Sequence, residues 1–433
     1  MVSRSWFEVP PSAARLTGSL RDIGYDFPTA VADIVDNSIS AGAKRVDVLI
    51  EFDGLGSRVF IVDDGVGMKP RALEEALRFG SRRKYQQGDL GRYGLGLKTA
   101  SLSQCRSVTV ATRSSTASTS VHTRELDFDL IEEWDQWVVA KPPRDVVLDR
   151  CRGWLAESAG TVVVWRNLDR VLPEKRPEGG WARRRLESLA VKTAEHLGAV
   201  FHRHLEGAKG HQLVITVNGE KVRPWNPFAP EERHRQDLPP LRFEVQVGEL
   251  CGSVTLRRYI LPTREKFSTP EEFDRLSGPL NWNRQQGLYV YRADRLVQWG
   301  GWAGIRGIDE HTKLARASID FDTDLDSVFN IDVAKMRVTL PPSLRQLVEP
   351  AVNELCVLAN GAYRKAPRKA DKERLTRLAM PREEQLVAGA VETAGVALRT
   401  AAMLAGEYAA LTRIIDQLRL TDPESARLLG LHR

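Results

Sequence analysis

Cysteine is scarce in this chain of 433 residues: Cys105, Cys151, Cys251 and Cys356 lie far apart and form no C-x-x-C pair. Such spacing suggests neither a zinc knuckle nor a disulfide framework, so the four thiols are expected to be reduced core residues. Long apolar runs are missing as well. Nowhere do about eighteen apolar residues follow one another, which excludes a hydrophobic spanning helix. The opening "MVSRSWFEVPPSAARL" has no apolar stretch of signal-peptide length, so a cytoplasmic protein with no membrane partner is expected. No internal repeat or low-complexity tract is evident. What is present is the balance of a globular protein, 42% hydrophobic and 28% charged. At about 150 residues per domain the length calls for two or three units. A net charge of +6 is a small surplus that favours polyanionic partners. Basic residues gather at "SRRKYQ" (81–86), "WARRRL" (181–186) and "YRKAPRKADKERLTR" (363–377), and each cluster is equally explained as a solvated face.

The segment "AVADIVDNSISAGAKRVDV" begins with a helix. Asp26 and Pro28 are start signals and Gly42 is a stop. Val31, Ile34 and Val35 fall at i, i+3, i+4 as a core stripe, while Asp33, Asp36 and Asn37 repeat that spacing on another face. Taken alone, this acidic group is the exposed side of an amphipathic helix. Two Val- and Ile-rich strands follow, "RVDVLIEF" and "SRVFIVDDGVGM", joined by the turn "DGLG". The second strand runs into Gly65 and Gly67, which permit positive φ and a close ligand approach. Then "GDLGRYGLGLKTASLSQC" places Gly91, Gly94 and Gly96 before a helix that opens near Leu95, a ready phosphate cradle. It follows no strand of a βαβ unit and has no adjoining Gly-Lys-Ser/Thr, so neither a Rossmann site nor a Walker loop is indicated.

In this order the segments resemble the GHKL ATPases, the superfamily of gyrase, heat-shock chaperones, histidine kinases and MutL. "ADIVDNSISAGA" is similar to that family's first helix and "VDDGVGM" to its adenine-binding turn. "GRYGLGLK" is similar to its glycine-rich lid hinge and "GTVVVW" (160–165) to the strand that closes the nucleotide pocket. "FGSRRK" followed by "GRYGLGLKTAS" most resembles MORC-type and MutL-type members. "FNIDVAKMRVTLP" (329–341) is similar to the MutL transducer segment whose lysine reaches the γ-phosphate, and "QGLYVYRADRLV" to a strand pair of that domain.

The resemblance implies ATP and Mg2+ as cofactors. It makes Asp63 the acceptor for the adenine amino group, supported by Thr161, with Gly65, Gly67 and Met68 in the same turn. Asn37 is implied as the Mg2+ ligand, an ion that needs only one or two protein ligands beside phosphates and water. Lys84, Gly91, Tyr93, Gly94, Leu95, Gly96, Leu97 and Lys98 would meet the triphosphate, and Lys335 would be the switch lysine. Lys98 and Lys335 can neutralise charge developing on the transferred phosphoryl group. Asp33 departs from the pattern, because most members place glutamate there to activate the attacking water. Aspartate has similar basicity but is shorter by one methylene, a shortfall of about an ångström that can cost about a hundredfold in rate. Slow ATP hydrolysis is expected.

The implied fold is α/β, an α+β sandwich. It comprises a nucleotide-binding domain over 1–205, a ribosomal-protein-like transducer domain over 206–345 and a helical tail over 346–433, with breaks near Gly389, Gly395 or Gly406. Function follows as an ATP-operated clamp that closes as a homodimer, with DNA the leading partner and defence against foreign DNA a suggestion. A chaperone-like or non-hydrolysing switch acting on a protein partner is the alternative. A histidine kinase would need a phosphoacceptor histidine ahead of this domain, whereas the first histidine is His122. A complete topoisomerase would need a cleavage domain. His196, His202 and His204 lie on one helix and are assigned a structural role. Asp320, Asp322, Asp324 and Asp326 alternate, as metal-binding carboxylates or as the solvent side of an edge strand.

Overall fold

Asp26 caps the first long helix as its sequence requires, accepting from the Thr29 N–H at 2.9 Å, and Gly42 adopts φ +73° just beyond the helix end. The computed structural model describes the chain except residues 1–6, 8, 23, 81–95, 116–119, 174–177, 209, 211, 248–249, 279, 323–324, 327–328, 330–339, 365–386, 389–394, 396–397, 400, 403–404, 429–430 and 432–433. It divides into two compact units, one of Met1–Gly198 and His204–Pro224, the other of Ala199–Arg203 and Trp225–Arg433.

The first unit runs α1 (Ala13–Arg21), α2 (Phe27–Ser40), β1 (Arg45–Glu51), β2 (Arg58–Asp63), α3 (Pro70–Leu77) and α4 (Gly96–Leu102). It continues with β3 (Ser107–Arg113), β4 (His122–Asp127), α5 (Phe128–Trp134), α6 (Val146–Trp154), β5 (Gly160–Arg166) and α7 (Gly180–Val200). The short α8 (His202–Leu205) precedes β6 (Val214–Val217) and β7 (Glu220–Lys221). The seven strands form one sheet in the order β4-β3-β5-β2-β1-β6-β7. Alternation sends successive side chains to opposite faces. On one face Trp165 meets Phe27 of α2 edge-on at 5.7 Å and donates from Nε1 to Ser101 of α4 at 2.8 Å. On the other, Phe60 meets Trp154 of α6 at 5.2 Å. The β6–β7 hairpin, which the sequence gives to the following domain, joins the first sheet through a parallel pairing of β6 with β1. Its Asn218-Gly219 turn has φ values of +50° and +85°, as a two-residue hairpin demands.

The second unit holds β8 (Gln236–Val247), β9 (Leu250–Ile260), α9 (Pro270–Leu276), α10 (Trp282–Gln285), β10 (Gly287–Arg292), β11 (Arg295–Gln298) and β12 (Ala315–Phe321). After these come α11 (Pro342–Arg364), β13 (Val387–Ala388) and helices Tyr408–Thr421 and Pro423–Leu428. The sheet order is β11-β10-β12-β9-β8-β13. Its core gathers Val254, Leu256, Leu288, Val290, Ala317 and Ile319 with Leu344, Val348 and Leu355 of α11. Arg258 pairs with Glu354 of α11 at 2.6 Å in a buried bridge. Val387–Ala388 is a short strand parallel to β8, where the sequence indicates helix. Gly406, with φ +76°, precedes the helix that opens at Tyr408, one of the breaks expected from the glycines.

Candidate functional site

Asp63 ends β2 in register with Thr161 of β5. Its Oδ1 accepts from the Gly65 N–H at 3.0 Å and the Thr161 N–H at 3.2 Å, and its Oδ2 accepts from the Ser38 hydroxyl at 2.9 Å. Burial, to 9% exposure, pushes its pKa above the usual carboxylate range, against the pull of those three donors. Thr161 therefore supports Asp63 through its backbone, while its hydroxyl lies 3.2 Å from that of Thr112.

The turn after Asp63 is fixed by close approach. A Cβ on Gly67, where φ is +63°, would lie 2.0 Å from the Arg113 carbonyl oxygen, and one on Gly65 would lie 2.9 Å from the Ala41 methyl. Only glycine suits such spaces. The Met68 N–H donates to Thr112 Oγ1 at 2.8 Å, and that hydroxyl donates on to the Gly160 carbonyl at 3.0 Å.

Helix α2 brings Ser38, Asp33 and Asn37 to this region of the unit. Asp33 is 2% exposed and Asp36 is fully buried, so the acidic group is not the solvated face that periodicity alone suggests. The Tyr25 hydroxyl donates to Asp33 Oδ2 at 2.9 Å. Asn37, in contrast, is exposed, and its Nδ2 donates to the Asp33 carbonyl at 3.0 Å. The amide nitrogen is thus held on the helix backbone, which leaves the amide oxygen as a hard donor of the kind Mg2+ takes.

At the start of α4, Gly96 and Leu97 are half-buried, and a Cβ on Gly96 would sit 3.8 Å from Asp33 Oδ2, an ordinary contact. Lys98 is 1% exposed, with Nζ donating to the Ala76 carbonyl in the last turn of α3 at 2.8 Å. Burial pushes its pKa down to about 8. This ammonium is neither on the helix surface nor free in solvent; it ties α3 to α4. Lys84, Gly91, Tyr93, Gly94, Leu95 and Lys335 lie outside the described residues.

Three neighbours escaped the sequence reasoning: Tyr25, Ser38 and Thr112. Ser38 had a signal, since it continues the core stripe of Val31, Ile34 and Val35 at i+7 yet is polar. Tyr25 and Thr112 had none.

The rival carboxylate cluster does not assemble. β12 lies between β10 and β9, so it is not an edge strand. Asp320 pairs with Arg203 and with Arg257 at 2.9 Å, and Asp326 binds Arg292 through both oxygens at 2.6 Å. Asp324 lies outside the described residues. His202 shares a 2.8 Å hydrogen bond with the buried Tyr291 hydroxyl, a structural partner. Among the described residues no group of histidine, cysteine or acidic side chains is arranged to hold a metal, and no helix is long and apolar enough to cross a membrane. Cys105, Cys151 and Cys356 are free and buried.

A sheet-borne acceptor aspartate, a glycine turn pressed against a helix and an acid–amide pair on that helix thus lie in one unit. Residues 25–159 match the family described as histidine kinase-, DNA gyrase B-, and HSP90-like ATPase. MORC and MutL proteins are among those the chain is similar to. ATPase MORC2B of Mus musculus is 35% identical over 79 residues, 17% of this chain and 8% of that protein. DNA mismatch repair protein MutL of Rhodospirillum rubrum is 37% identical over 90 residues, 21% of this chain and 14% of that protein. Protein MICRORCHIDIA 5 of Arabidopsis thaliana is 36% identical over 80 residues, 17% and 11% of the two chains. The matched stretches thus span only 8% to 14% of these relatives' lengths. A solved N-terminal domain of a DNA repair protein superposes with a TM-score of 0.42 at 14% identity, over 81% of this chain and 97% of that one.

Proposed function

We propose that this protein binds ATP, hydrolyses it slowly and uses it to close a homodimeric clamp on DNA. The observation that carries the reading is the pairing of two buried carboxylates around α2. Asp63 is fixed as an acceptor at the end of the sheet, and Asp33 lies one helical turn from the exposed Asn37.

Adenine would donate its exocyclic amino group to Asp63. Guanine presents a carbonyl there and would leave a buried acceptor facing another acceptor, which discriminates against GTP. Gly65 and Gly67 let the base approach the backbone. Asn37 would hold Mg2+, whose chemistry is to neutralise phosphate charge. Asp33 would orient the attacking water and take its proton, with its short side chain limiting the rate. The MORC and MutL relatives, one named for DNA mismatch repair, support DNA as the partner class, together with the basic clusters.

Calorimetry with a non-hydrolysable ATP analogue and its guanine counterpart tests the core of the reading. Heat is expected with the adenine compound alone and is lost in Asp63→Asn; no heat in the wild type ends the proposal. Light scattering should show a larger species with ATP analogue and not with ADP. An unchanged mass would reject the clamp in favour of a nucleotide switch acting on a protein. DNA binding should weaken steeply with salt if phosphate contacts carry it.

A further inference from the structure

Tyr25 lies outside the helix that carries Asp33, on the segment leading into its cap, yet it is tied down at both ends. Its hydroxyl donates to Asp33 Oδ2 at 2.9 Å, and its backbone carbonyl accepts from Gln104 Nε2 at 3.0 Å. Gln104 follows α4, is itself buried, and also donates to the Ser103 hydroxyl at 2.9 Å. The phenol is therefore held by the end of α4 and delivered to the carboxylate on α2.

We infer that Tyr25 is the positioning residue for Asp33: it fixes the rotamer of the short carboxylate through the donated hydrogen bond. This rests on the reading of Asp33 as the base. The physical case is that aspartate cannot reach as glutamate does, so its remaining freedom must be removed for any water to be activated from a constant geometry. A buried phenol donating to one oxygen restricts rotation about the carboxyl bond.

The other charged groups on the packed elements are engaged elsewhere. On α4, Lys98 is directed to the Ala76 carbonyl. On β2, Asp63 is directed to Ser38, Gly65 and Thr161, and Arg58 pairs with Asp53 and Glu51. Asp36 is the further acid on α2 itself, and Asp26 caps that helix through Thr29. In the preceding segment Asp22 pairs with Arg170. The Tyr25 phenol is a neutral donor that contacts the Asp33 carboxylate from outside its own helix.

The test compares wild type, Tyr25→Phe, a monofluorinated tyrosine at position 25 and Asp33→Asn, reading ATP-analogue affinity and kcat. Tyr25→Phe keeps the ring and loses the donor. It should lower kcat about fivefold or more, the worth of a hydrogen bond to a charged group, and leave affinity within about twofold. The fluorinated residue keeps the donor and should hold kcat within about twofold of wild type. If Tyr25→Phe loses affinity along with kcat, the phenol is structural and the inference is overturned. If Asp33→Asn is inactive while Tyr25→Phe keeps the wild-type kcat, the inference is overturned and the base assignment stands. If Asp33→Asn hydrolyses ATP at the wild-type rate, or the wild type does not hydrolyse it, the base assignment falls and this inference with it.

Discussion

Asp63 and Asp33 are both buried carboxylates on the same unit, and they are held in opposite ways. Asp63 accepts from two backbone N–H groups and a hydroxyl, so its position is set by the sheet and by the turn that follows. Asp33 takes a side-chain donor from a phenol on the segment before α2. A group fixed by backbone at three points suits recognition, where nothing about it should change during a cycle. A group held by a side chain, next to the start of α4, suits a proton acceptor that must alternate between two charge states. On the proposed function, one acid stays constant and the other turns over.

The largest effect expected from this contrast is on turnover. Asp33→Asn should cut kcat by about 10²- to 10⁴-fold, the usual worth of a general base, with ATP affinity nearly unchanged. Phosphate release and calorimetry on the same preparation check it. Asp63→Asn should do the reverse and weaken ATP binding by about 2–3 kcal/mol, tens to about a hundredfold, by turning an acceptor into a mismatched amide. Should both variants lose the same property, the division of labour is wrong.

The next effect is on stability and separates the two ends of the site. Gly67→Ala must force a methyl toward the Arg113 carbonyl at a positive φ, and chemical denaturation should show a loss of about 2–4 kcal/mol. Gly96→Ala adds only an ordinary contact near Asp33 and should stay within about 1 kcal/mol of wild type. Equal losses at both positions would mean that the turn after Asp63 is no more constrained than the start of α4.

The smallest effect is a pH dependence. Burial raises the Asp63 pKa, so the neutral form is the one the fold favours. Its stabilising contribution is complete below the unfolded carboxylate value and is lost as pH rises through the raised folded value. Asp63→Asn stays neutral throughout. The difference between the variant and wild-type melting temperatures should therefore grow in the variant's favour across that window and stay flat above it. A difference independent of pH would show that the three donors offset burial completely.

Local rules made much of this legible in advance. Asp26, Pro28 and Gly42 bound α2, and Asn218-Gly219 marks its hairpin, because caps and tight turns depend on residues a few positions apart. The close-packed turn at Gly65 and Gly67 was legible for the same reason. The Ala293-Asp294 turn between β10 and β11 carries positive φ values of +48° and +65° without any glycine to announce them. The burial of Asp33 and Asp36 was illegible, because periodicity identifies a second face but not what packs on it. Tyr25 was invisible because its contact crosses a helix cap, and the pairing of Asp320 with Arg203 because it spans 117 residues.

The parallel pairing of β6 with β1 bears on how the chain is made. The Thr216 hydroxyl donates to Asp47 across a separation of 169 residues, and the Ile50 N–H finds its acceptor in Asn218. During synthesis β1 leaves the ribosome long before the strand that covers its open edge. At about 5–20 residues per second the nascent sheet waits roughly ten to thirty seconds with that edge bare, exposed to pairing with a neighbouring nascent chain. The first unit is thus finished late, by a hairpin that contributes no candidate site residue, and the first half of the chain spends its birth in need of a companion.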